Sequence, residues 1–105
     1  PDEVEMRPDA GWDYRGWGAD VATAGHQHVY EDVDIDGMHC VTAGIATNGL
    51  ERGGCDDELT DGSRLCLTGV EGAMRLDATA TSLRMEYRQP SDAGEVVLDA
   101  IELTR

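Results

Sequence analysis

The stretch Trp17-Gly18-Ala19-Asp20-Val21-Ala22-Thr23-Ala24-Gly25-His26-Gln27-His28-Val29-Tyr30, continuing to Gly44, decides how the chain is read. Residues 19–24 (ADVATA) form a short run of small apolar residues that stops at Gly25, which predicts a buried strand entering a tight turn. The residues just past Gly25 are therefore expected at a strand's carboxyl end. Residues 29–34 (VYEDVD) alternate apolar and polar, break at Asp36-Gly37, and resume as residues 38–43 (MHCVTA) before Gly44. That pattern predicts two strands joined by a tight turn.

Working outward, residues 47–64 are rich in Gly and Asp without a sustained period and read as a long acidic surface loop. Three further strands are expected over 65–70, 73–87 with a break, and 95–103, with a turn at Asp92-Ala93-Gly94, so residues 65–105 read as a β-meander. On the other side, residues 11–18 carry three glycines and three aromatics, too Gly-rich for a helix interior and too aromatic for an open loop. A short helical turn or packed loop is expected there, preceded by an acidic, Pro-punctuated lead-in over residues 1–10.

The chain has 105 residues, 22 acidic against 8 basic side chains, and a formal net charge of −14; every cation is Arg, and lysine is absent. This length holds one small domain that buries roughly 60–70% of its unfolded surface. Leu, Val and Ile together make up 19 residues and Phe none, which with this charge places the composition on the side that struggles to fold unaided. Such a surface repels nucleic acid and anionic lipid, so neither is expected as a partner. Many carboxylates, no lysine and few large apolar residues suit a halophilic protein, whose self-repulsion salt screens. No apolar run approaches the ~20 residues of a membrane span, and no targeting signal is recognisable.

The chemistry-bearing candidates are in Gly25-His26-Gln27-His28. Two imidazoles flanking one residue face the same small volume when the backbone turns sharply, and neutral imidazole is the commonest transition-metal ligand. Gly25 supplies the backbone freedom for such a turn. By spacing alone the pair is equally what a plain strand with two histidines on one face would carry.

Trp17-Gly18-Ala19-Asp20, a short strand, and then Gly25-His26-Gln27-His28-Val29-Tyr30 resemble the closing motif of the calcineurin-like metallophosphoesterases, and of their purple acid phosphatase branch in particular. Asp36-Gly37 followed by a strand ending at Gly44 is similar to the unit after that motif, and Tyr87 with Gly94-Glu95-Val96-Val97-Leu98-Asp99 resembles the terminal strands. The resemblance implies an α/β (α+β) fold, in which residues 1–105 form the mostly β, C-terminal part of a two-sheet sandwich flanked by helices. The expected segments are a lead-in with a short helix or loop over 1–18, a strand, GHxH loop and following strands over 19–46, the acidic loop over 47–64, and the meander.

The resemblance also implies hydrolysis of phosphate mono- or diesters at a dinuclear centre of iron, zinc or manganese, with His26 and His28 as metal ligands. Gln27 would approach the phosphate ester substrate, and Tyr30 would pack beside or below the loop. The family's early motifs, with their bridging Asp, their Asn and acid-base His, and a further lone His, do not occur here. Two imidazoles cannot hold two metals and orient a nucleophile, because a catalytic ion needs about three protein ligands. The expected partner is therefore the missing N-terminal part of the same domain, and by itself the chain is expected to be catalytically silent. Asp32 follows Tyr30-Glu31 where the family often has Arg. Secretion or a cell-surface location is suggested by the resemblance alone.

The alternative is a small acidic, halophilic, β-rich binding or surface module with no catalysis. Other motifs are weaker. Residues 32–37 match the start of an EF-hand loop, but Ala43 stands where a bidentate Glu is needed, and a charged hairpin turn explains them. Cys55 and Cys66 enclose an acidic segment as either a disulfide or two free thiols, with Cys40 left over. A zinc site from His39, Cys40, Cys55 and Cys66 lacks the usual paired-cysteine spacing. Trp12, Tyr14 and Trp17 would stack on a ligand or cover a sheet.

Overall fold

At Asp36-Gly37 both residues take positive φ (52° and 88°), as a two-residue hairpin turn whose twist matches its strands requires. Asp34 secures the turn, its Oδ1 accepting the Gly37 amide at 2.7 Å. A computed structural model describes residues 13–25, 27–44, 55, 59 and 61–105. The turn joins β2 (Tyr30–Ile35) to β3 (Met38–Ala43), in register from Tyr30↔Ala43 to Ile35↔Met38. On the far side of β3 lies β1 (Val21–Ala24), paired parallel to it. On the far side of β2 lies β4 (Ser63–Leu67), antiparallel, with a register shift between Asp32 and Val33. At that shift Gly62, at φ +94°, brings its backbone so close that a Cβ would lie 2.4 Å from the Asp34 carbonyl oxygen. Its own carbonyl accepts the Asp34 amide at 2.9 Å.

The second sheet is a three-stranded meander of β5 (Ala73–Ala78), β6 (Ser82–Ser91) and β7 (Gly94–Thr104). The Thr79 hydroxyl closes the first turn by accepting the amides of Thr81 and Ser82. Gly94, at φ +112°, follows the second turn.

The sheets stack because each offers one apolar face. Tyr30 and Val41 from the mixed sheet meet Met85, Tyr87 and Ile101 from the meander, all buried. The rings of Tyr30 and Tyr87 stack at 4.3 Å and 20°. Full burial of each such aliphatic side chain is worth roughly 1.5–3 kcal/mol. The opposite face of the mixed sheet buries Val33, Ile35, Met38 and Cys40 against Tyr14, Ala19 and Ala22. Alternation along β2 thus serves two cores, one on each face.

Several expectations change. The described residues are all-β in two sheets, and the flanking helices of the expected α/β (α+β) class do not occur among them. Residues 13–18 form a turn held by Trp17 N–H to the Asp13 carbonyl and Ala19 N–H to the Tyr14 carbonyl, glycines at 16 and 18 disfavouring anything longer. The first strand is half-exposed and, among the described residues, has a neighbouring strand on one side alone. Most of the 47–64 loop lies outside the described residues, but Ser63 and Arg64 belong to β4, which ends at Leu67. The break within 73–87 falls at residues 79–81.

Candidate functional site

Because β1 and β3 run parallel and β2 runs back against β3, the end of β1, the end of β3 and the start of β2 meet at one rim of the sheet. Gly25 and residues 27–29 lie at that rim. The Gln27 amide donates to the Gly25 carbonyl at 3.0 Å, a sharp reversal, and the Gly44 amide donates to the Val29 carbonyl at 3.1 Å, tying the crossing to the end of β3. His26, expected as a metal ligand, lies outside the described residues. Gln27 is half-buried, His28 is exposed, and Tyr30 is fully buried beneath them. Among the described residues, no three or more His, Cys, Asp or Glu side chains converge to hold a metal ion.

Below the rim, between the sheets, lies a polar cluster that sequence reading missed. The Tyr30 hydroxyl donates to Asp99 Oδ2 at 2.6 Å. Arg64 donates through Nε to Asp32 Oδ2 at 2.6 Å and through a terminal nitrogen to the same Asp99 oxygen. His39 Nδ1 lies 2.9 Å from both Asp32 oxygens. With Asp32 ionised, that contact puts the proton on Nδ1. Asp32 is fully buried, so its charge depends on these two partners. Burial, followed by the bond to Asp99 and the nearby carboxylates, holds the Tyr30 hydroxyl well above its usual ionisation range. For Arg64, burial works against the charge, but the hydrogen bonds to Asp32 and Asp99 more than offset it and raise the guanidinium further.

On the other face of β2, Glu31 is buried and its Oε2 accepts the Ser63 hydroxyl at 2.5 Å. Cys55 and Cys66 are joined in a disulfide, so two members of the zinc set weighed above are oxidised, and Cys40 is buried outside that disulfide. Residues 32–37 form the second half of β2 and the turn that follows it, with Asp32 committed to the inter-sheet cluster. Trp17 is exposed and meets Tyr14 edge-on at 5.4 Å, while Trp12 lies outside the described residues.

Nothing local in the sequence marks the cluster. Arg64 sits 32 positions from Asp32, which the pairing of β2 with β4 brings beside it, and 35 from Asp99, which the stacking of the second sheet brings in. No family model, curated protein or solved structure matches the chain.

Proposed function

We propose that this chain supplies the metal-binding GHxH loop of a phosphoester hydrolase of the calcineurin-like metallophosphoesterase type, related to purple acid phosphatases, with His26 and His28 as ligands. The observation that carries the reading is the rim itself: a tight, Gly-led crossing at the carboxyl end of a parallel strand pair, with His28 exposed over a fully buried Tyr30.

The donor chemistry fits part of such a centre. Neutral imidazoles suit iron, zinc or manganese, and an exposed His28 is free of the burial that would block entry. Each catalytic ion needs about three protein ligands, so donors beyond these two histidines are required. When bound, a dinuclear centre clamps the phosphoryl group and makes a water nucleophilic at neutral pH. In this role the chain's own residues hold and orient: Val29 and Gly44 pin the loop to β3, Tyr30 anchors it to the second sheet through Asp99, and Gln27 would approach the substrate.

One observation favours the alternative, a self-standing acidic module: the two sheets share a core made by the described residues alone, and a disulfide fastens β4. Calorimetric titration of the chain with zinc or manganese separates the two readings. The metallophosphoesterase reading expects saturable binding that is lost in the His26→Ala, His28→Ala pair and kept in His39→Ala. Equal binding by the wild type and the pair overturns it.

A further inference from the structure

The rim opposite the GHxH loop carries a second recess. There the Asp36-Gly37 turn, the β5–β6 turn, the end of β7 and residues 15–20 surround a cavity of about 520 Å³. That lies within the usual range for small-molecule sites. Its walls include Leu83, Leu103 and Ala80, with the hydroxyl-bearing Thr81 and Thr104 between them. The Arg105 amide donates to the Thr81 carbonyl at 2.8 Å, fixing two of the walls to each other.

Charge pairing distinguishes this recess among the described residues. The chain carries 22 carboxylates, and the guanidiniums of Arg64, Arg75, Arg84, Arg88 and Arg105 are all engaged by them. Among the described residues Arg15 is the one arginine with no carboxylate partner, and it lines the cavity. Its guanidinium lies across the turn backbone, 3.8 Å from where a Cβ on Gly37 would sit. The acid at the same mouth, Asp20, is already neutralised by Arg105 at 2.7 Å. The recess thus presents a guanidinium that no carboxylate engages, on a strongly negative protein.

We propose that this cavity binds a small organic carboxylate with an apolar body, the carboxylate on Arg15 and the hydrocarbon against Leu83 and Leu103. A guanidinium offers a planar fork that matches one carboxylate. A single unpaired cation against a net charge of −14 favours a monoanion over a phosphate dianion. The apolar walls and paired hydroxyl positions give the remainder of the ligand a place that an inorganic ion does not use. The site is at the other end of β2 from His28, so it is independent of metal binding.

The test is titration of the ¹⁵N-labelled chain with hexanoate, followed by amide chemical shifts. Saturable shifts confined to residues 15–20, 37–38, 78–83 and 103–105 are expected. Arg15→Ala weakens binding roughly tenfold, the loss of one charge-assisted contact, and Arg15→Lys falls between. Because Arg15 is exposed, unchanged amide positions elsewhere in the variant confirm its fold. Hexanol binding as tightly as hexanoate, inorganic phosphate producing the same shifts with equal affinity, or an unchanged affinity in Arg15→Ala would each overturn the proposal. The His26→Ala, His28→Ala pair binds hexanoate as the wild type does, so failure at one rim is distinguishable from failure at the other.

Discussion

The hydroxyl of Tyr30 donates to Asp99 across the gap between the sheets, at 2.6 Å, joining residues 69 positions apart. The acceptor also receives Arg64, so one carboxylate holds β2, β4 and β7 together. Tyr30→Phe keeps the ring stacked on Tyr87 and removes only this bond. A hydrogen bond to a charged group is worth about 2 kcal/mol, and the urea midpoint should fall accordingly. A midpoint equal to that of the wild type would show that Arg64 alone satisfies Asp99.

Arg64 and Arg75 both form ion pairs, yet their deletion should differ sharply. Arg64 neutralises a fully buried Asp32, whereas Arg75 and Asp77 are both about half exposed. Breaking a buried pair leaves an uncompensated charge, worth about 3 kcal/mol here because Arg64 is itself partly screened. Arg75→Ala should stay within about 0.5 kcal/mol. Thermal unfolding of the two variants side by side checks this, and equal losses would mean that His39 suffices for Asp32.

Stability should fall on the alkaline side. Burial raises the hydroxyls of Tyr30 and Tyr87 above the ordinary value of 10.0, helped by Asp99 at the first and Glu71 at the second. Below about pH 10 both states hold these protons and the contribution is fully present. Above it the unfolded chain loses them first, so stability declines as pH climbs toward the raised folded values. Denaturant titrations from neutral pH to above 10 should show this decline, and Tyr30→Phe should flatten it. A variant with the wild-type slope would assign the loss elsewhere.

The Cys55–Cys66 disulfide closes a segment with a sequence separation of 11. Restricting an unfolded loop of that size is worth about 3 kcal/mol. Replacing both cysteines by serine should lower stability by that order, with the largest rise in amide exchange along β4 beside Glu31. Reduction that leaves the exchange pattern of β4 unchanged would contradict the assignment.

Local chemistry made much of this architecture legible. Asp36-Gly37 has the residues a two-residue hairpin demands, and both took the positive φ it requires. The meander followed from period-two alternation punctuated at Asp92-Ala93. What escaped was the burial of charge. Glu31 and Asp32 read as ordinary acids in an alternating strand, yet neither is exposed at all. Their partners, Ser63 and Arg64, lie in a stretch whose Gly and Asp content masked the start of β4. Alternation assumes one wet face, and β2 has cores on both. At the candidate site, Gly25 and the two histidines were visible as a motif, whereas Asp99, the residue that anchors Tyr30, lies far along the chain.

The two sheets also differ in how far the chain must travel to build them. In the meander each strand meets the next across a turn of two or three residues, at 79–81 and 92–93. In the mixed sheet, β2 finds β4 only after residues 44–62 have been brought round, and the Cys55–Cys66 link leaves that span open because both cysteines lie beyond β3. Closing longer spans slows folding through lost chain entropy. The meander and the β2–β3 hairpin are therefore the locally closed parts of the fold, and β4 joins them across the longest connection in the mixed sheet.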